Sequence, residues 1–111
     1  MAKAPPSAQR DRIRPFVPAL VDYTDNVVYG DLWERPGLSK RDRSLITLAA
    51  LIATYRPEQL ESHLTRAINN GVTKEEISEV ITHLAFYAGW PAAMSAAQVA
   101  HKILVGNQQP E

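Results

Sequence analysis

The sequence predicts an all-α fold, a single-domain bundle of about five helices that is oligomeric. Three observations carry this expectation. Apolar residues recur at intervals of three and four through most of the chain, which lines one face of a helix, whereas strand residues would alternate. Capping and stopping residues bracket those stretches, and no strand signal, internal repeat or glycine-rich phosphate loop interrupts them. Finally, 111 residues of which 45% are hydrophobic can bury one modest core, a size at which helical domains often complete their burial by associating.

Residues 1–15 are rich in proline, alanine and charge without periodicity, so a flexible N-terminal arm is expected there. The helical domain then spans residues 16–106. Phe16, Leu20, Tyr23, Val27 and Val28 form a first stripe, with Gly30 as its stop. A turn follows at Pro36-Gly37. Just before it, Trp33 is too large to be left in water without a reason; packing under the loop is the simpler account and a binding-site wall the sharper one.

Ser39 with Asp42 three residues on is a capping signature, and the run from Leu45 to Ala53 is apolar on nearly all sides. Such a helix is central to a bundle or lies at a subunit contact. Arg41 and Arg43 crowd the positive end of its dipole, so they need acidic partners such as Asp42 and Glu34, or an anionic ligand.

The stretch from Leu60 to Pro91 reads as one αα-hairpin. Pro57 suits a first helical turn, Leu60, Leu64, Ala67 and Ile68 recur at helical spacing, and Gly71 after Asn70 supplies a left-handed stop. Thr73 and Glu76 form a capping box for the next helix, whose stripe is Ile77, Val80, Ile81, Leu84, Ala85 and Ala88; Gly89 and Pro91 end it around Trp90. The last helix runs from about Pro91 to Val105. Its Ala92, Ala93, Ala96, Ala97 and Ala100 allow close helix approach, Gly106 stops it, and residues 107–111 form a flexible tail.

Histidine placement is the first chemical signal. His63 lies three after Leu60 and four before Ala67, so the periodicity that buries those two aims an imidazole inward. A structural ring bonded to a carbonyl, Glu61 or Glu79 and a functional ring both fit. His83 falls one step off its stripe beside Glu79 and Tyr87, and a solvated Glu79 to His83 pair is expected.

Composition excludes much else. Twelve basic residues balance twelve acidic ones and are scattered among them, which leaves no electrostatic footprint for nucleic acid or anionic lipid. There is no cysteine, hence no disulfide, thiolate zinc site, cysteine nucleophile or thiol redox step. No segment is long and apolar enough to span a bilayer or to read as a secretory signal, so a cytoplasmic protein is expected. His63, His83 and His101 lie on three helices with no metal-ligand spacing, and Ser44 and Ser95 have no histidine at a triad-like spacing. What remains is histidine, carboxylate, arginine and tyrosine, tools suited to proton transfer without metal or cofactor.

Four ordered blocks resemble the carboxymuconolactone decarboxylase family: Asp31 to Pro36, Arg41 to Leu45, His63 to Ala67 with Asn70 to Thr73, and Ala85 to Ala93. The resemblance covers roughly Phe16 to Leu104 and implies an all-helical protein assembled as a trimer or hexamer. It includes the alkylhydroperoxidase D-type branch, whose CxxC pair precedes a histidine. Here His63 keeps the histidine position, Arg56 and Gln59 stand where cysteines belong, and the relay glutamate is replaced near Ser44, so peroxidase activity is not expected.

The decarboxylase branch implies cofactor-free loss of carbon dioxide from γ-carboxymuconolactone or a related small carboxylated lactone or keto acid in aromatic catabolism. Under that implication His63 donates the proton and Glu34 orients it or an arginine, Arg41 or Arg43 clamps a substrate carboxylate, and Trp33, Tyr87 and Trp90 exclude water. The alternative is a non-catalytic small-molecule-binding or scaffold oligomer of the same fold.

Overall fold

The computed structural model describes residues 4–106. Among them there is no strand, and the helices are α1 (Ala8–Ile13), α2 (Pro18–Tyr23), α3 (Lys40–Ala53), α4 (Pro57–Asn69), α5 (Lys74–Tyr87) and α6 (Trp90–Leu104). A π-helical segment, Thr24–Tyr29, prolongs α2, and Leu32–Glu34 is a 3-10 turn. The prolonged α2 and α3 to α6 are the five longer helices of the expected all-α fold. The chain divides into two compact units, Met1–Lys40 and Arg41–Glu111.

The first unit differs most from the sequence expectation. Where periodicity suggests only an arm, α1 forms: the Ser7 side chain accepts from the Arg10 amide at 3.2 Å and caps it. Arg14 reaches Asp25 at 2.9 Å and Asp22 at 3.4 Å, Arg10 lies 3.6 Å from Asp25, and the Arg10 guanidinium stands 5.0 Å from the centre of the Tyr29 ring. Charge and cation–π contacts, which leave no apolar period in the sequence, therefore organise this segment.

The expected first stripe is not a buried one. Phe16, Leu20, Tyr23 and Val27 are exposed, whereas Val21 and Tyr29 are buried. The π-helical segment bears only on the positions from Thr24 onward, where a wider turn changes the phase of the side chains; Phe16, Leu20 and Tyr23 precede it. It starts at Thr24, whose hydroxyl donates to the Leu20 carbonyl at 2.9 Å and competes for an α-helical acceptor. Gly30 follows with φ −80°, so its role is not a left-handed stop. A Cβ there would meet the Asn26 carbonyl oxygen at 2.5 Å, and close approach of backbone is what requires glycine.

The second unit follows the sequence pattern closely. Its core gathers Leu48 and Ile52 of α3, Leu60, Leu64 and Ala67 of α4, Val72, Ile77 of α5, and Ala96 and Ala100 of α6. The small alanines of α6 face this core, which lets α6 pack against both α4 and α5. Gly71 has φ 101° and Gly89 φ 110°, the left-handed conformation that ends α4 and α5. Both halves of the Thr73–Glu76 capping box are present at 3.0 Å. The expected flexible tail, 107–111, and Met1–Lys3 of the expected arm lie outside the described residues.

Candidate functional site

One edge of α4 is polar although the face beside it is core. Leu60, Leu64 and Ala67 point inward, and Gln59, His63, Arg66 and Asn70 follow the border of that stripe at spacings of four, three and four. The Asn70 amide donates to the hydroxyl oxygen of Ser44 on α3 at 3.0 Å, and Ser44 is the one buried polar residue among those described, at 2% exposure. This bond fixes the register of α3 against α4. Leu45 and Ala49 on α3 line an open groove with Glu76, Glu79, Val80, His83 and Leu84 of α5, so Arg43 and Thr47, two residues before each, lie on a different face of α3.

His63 is half-buried, and its Nε2 lies 3.5 Å from Nη1 of Arg66. A guanidinium can only donate, so this contact is a hydrogen bond only where Nε2 is the acceptor, with the ring proton on Nδ1. Burial pushes the imidazole down from 6.5 to about 4, and the adjacent Arg66 charge pushes it the same way. His63 is thus neutral at ordinary pH. Its neighbour Glu61 is committed elsewhere, bonded to Lys102 of α6 at 3.1 Å.

The two arginines of α3 differ. Arg41 donates to Oε2 of Glu76 and lies 3.6 Å from Asp42, so it ties the first turn of α3 to that of α5. The Thr73 amide, and secondarily Arg41, hold the Glu76 carboxyl below its usual range against the opposing effect of burial. Of the two readings open for Arg41, acidic pairing therefore has a direct structural account, though with Glu76 in place of Glu34. Arg43 is half-buried with its Nε fully enclosed, and Thr47 donates to its carbonyl at 2.8 Å.

Tyr87 and Trp90 are 79% and 58% exposed. Tyr87 stacks on His83 with ring centres 4.7 Å apart, and Trp90 meets the edge of Phe86 at 5.6 Å. Within this chain they face solvent and form no wall, and the ring contact of His83 is with Tyr87 where a Glu79 pair was expected. In the first unit Trp33 is buried and stacks on Tyr29 at 6.2 Å, as the simpler account had it, and Glu34 pairs with Lys40 at 2.8 Å.

Sequence reasoning missed Arg66, Asn70 and Ser44 as members of this edge. The available signal was spacing: Arg66 is one turn after His63 on the same face, and Asn70 one turn further. Among the described residues no three histidine, aspartate or glutamate side chains converge as a metal-ligand set.

Comparison with known proteins identifies relatives of the chain. The chain is 42% identical over 82 residues to the 4-carboxymuconolactone decarboxylase of Acinetobacter baylyi, covering 74% of this chain and 61% of that protein. It is 42% identical over 76 residues to a nitrosuccinic acid decarboxylase of Metarhizium robertsii, 68% and 53% covered, and 30% identical over 77 residues to an uncharacterized 15.0 kDa protein of Paracoccus denitrificans, 68% and 58% covered. The chain thus spans between 53% and 61% of the length of these relatives. Residues 18–102, which include every residue of the α3–α4 edge, match the carboxymuconolactone decarboxylase family, and the chain belongs to that family.

Proposed function

We propose that this chain carries a cofactor-free decarboxylase centre for small acids with more than one carboxylate, with 4-carboxymuconolactone as the first candidate substrate. The observation that supports it best is the half-buried, neutral His63 beside the Arg66 guanidinium. A guanidinium next to an imidazole is what a carboxylate substrate that must be protonated on carbon requires. Two relatives are named as decarboxylases, one of a carboxylated lactone and one of a nitro-substituted diacid. In both named acids an electron-withdrawing group can accept the pair that carbon dioxide leaves behind.

For the lactone, cleavage of the bond between the γ-carbon and its carboxylate releases carbon dioxide. The electron pair spreads through the ring double bond into the lactone carbonyl, and the resulting dienolate takes one proton to give the enol-lactone. Substrate supplies the electron sink, so the protein has to hold the second carboxylate, stabilise the dienolate and deliver the proton. Arg43 and Arg66 hold the carboxylate, and His63, protonated in the substrate complex, delivers the proton to carbon and returns to the neutral ring. Arg41 is the weaker clamp because Glu76 already occupies it.

The proposal includes assembly of several copies, as a trimer or hexamer. Tyr87 and Trp90, together with exposed Phe86 and Met94, form an apolar surface of the kind that copies of a chain cover for one another, and through it the two aromatic residues would join a neighbour's site.

The test is an ultraviolet assay of the assembled protein with 4-carboxymuconolactone and with nitrosuccinate, and with the lactone lacking the γ-carboxylate as control. Turnover of a carboxylated substrate and none of the control is expected; no turnover of either acid would overturn the reading. In His63→Gln, kcat should fall about 10²-fold or more.

A further inference from the structure

We propose that Arg66 is a positioning residue for His63: the guanidinium 3.5 Å from Nε2 fixes the Nδ1–H tautomer and ties proton uptake by the ring to the arrival of a carboxylate on Arg66 itself. The inference rests on the reading of this edge as the substrate site, and it adds a proton-loading step to it.

The geometry carries the argument. Arginine has five N–H groups and no acceptor, so an Nε2–H tautomer would set N–H against N–H, and a doubly protonated ring would set two cations 3.5 Å apart. The ring is half-buried, which weakens solvent screening of that repulsion. Without substrate the ring is therefore neutral, able to accept but not to keep a proton. A substrate carboxylate bound by Arg66 reverses the local balance, because a negative charge now lies between the guanidinium and Nε2. The proton is drawn from solvent with the substrate and is on the ring when carbon dioxide leaves; after delivery to carbon the ring is neutral again.

On the ring's own helix, the neighbouring carboxylate Glu61 is already paired. On α6, Lys102 is bonded to Glu61 at 3.1 Å across α4, so that pair largely cancels.

The experiment is nitrogen NMR of the whole chain with 15N-labelled histidine, the His63 signals being assigned by their loss in His63→Gln. In wild type the neutral His63 ring should be the Nδ1–H tautomer, and saturating succinate, used as an unreactive dicarboxylate probe, should raise its titration midpoint by about one pH unit or more. In Arg66→Gln the midpoint without succinate should rise but stay under 6.5, since burial remains, and the succinate response should be lost. Arg66→Lys, which keeps charge without the rigid fork, should retain a low midpoint and mix the two tautomers.

An Nε2–H tautomer in wild type, or a succinate response undiminished in Arg66→Gln, would overturn the proposal. The wild-type tautomer needs no variant to fold. None of these readings needs turnover, so an inactive protein with the expected tautomer and succinate response would sink the decarboxylase reading alone, while an active one lacking them would sink this inference alone.

Discussion

His63 is a residue whose spacing announced it and whose state the spacing could not. Folding lowers the ring from 6.5 to about 4, so between those values the unfolded chain binds the extra proton and stability rises with pH. It is full above about pH 6.5 and falls as pH drops toward 4. Urea unfolding at pH 7 and pH 4.5 should therefore show a larger loss for wild type than for His63→Gln. Ser44 and Asn70 make a second residue-scale prediction. Asn70→Ala leaves a buried hydroxyl without its partner and should cost about 1–3 kcal/mol in the same assay, whereas adding Ser44→Ala should recover part of that loss. Neither residue stood out in the sequence, because serine and asparagine near helix ends are ordinary and only tertiary contact makes this pair exceptional.

At the scale of elements, local signals worked where a helix is bounded by its own residues. The Thr73–Glu76 capping box, the left-handed Gly71 and Gly89, and the proline in the first turn of α4 are all as expected, since each satisfies or redirects backbone within a few residues. Thr73→Ala should lower stability by about 1 kcal/mol, measured by thermal or urea unfolding, and should release Glu76 toward its usual titration range. Leu64→Ala, at a fully buried position, should cost about 2–5 kcal/mol and so exceed the cap by a clear margin. The failures are α1 and the π-helical end of α2. Both depend on partners across the first unit, Asp22, Asp25 and Tyr29, and no window of hydrophobic periodicity registers an ion pair or a widened turn.

At the scale of the molecule, the exposed apolar residues are the feature that a 12.3 kDa chain most needs to explain. The first unit leaves Phe16 at 88% and Tyr23 at 65% exposure, and the second leaves Phe86 at 76% and Tyr87 at 79%. Surfaces of this kind mark sites of association. Sedimentation velocity should give a species several times the chain mass, and Phe86→Glu with Trp90→Ser should shift it toward the monomer. A wild-type monomer at micromolar concentration would remove the assembly from the proposal.

The sequence by itself determined the all-α class, the four helices of the second unit with most of their caps, and the placement of His63 beside the core stripe of α4. Those properties follow from a helical period and from hydrogen bonds that close within one turn. The tertiary structure alone decided the company His63 keeps. Arg66 and Asn70 share its edge, Ser44 locks α3 against α4, Arg41 goes to Glu76, and Tyr87 and Trp90 turn outward. The physical reason is that a charge or an amide can be satisfied by any complementary group within reach, and reach is set by how helices pack, a property that no single helix carries.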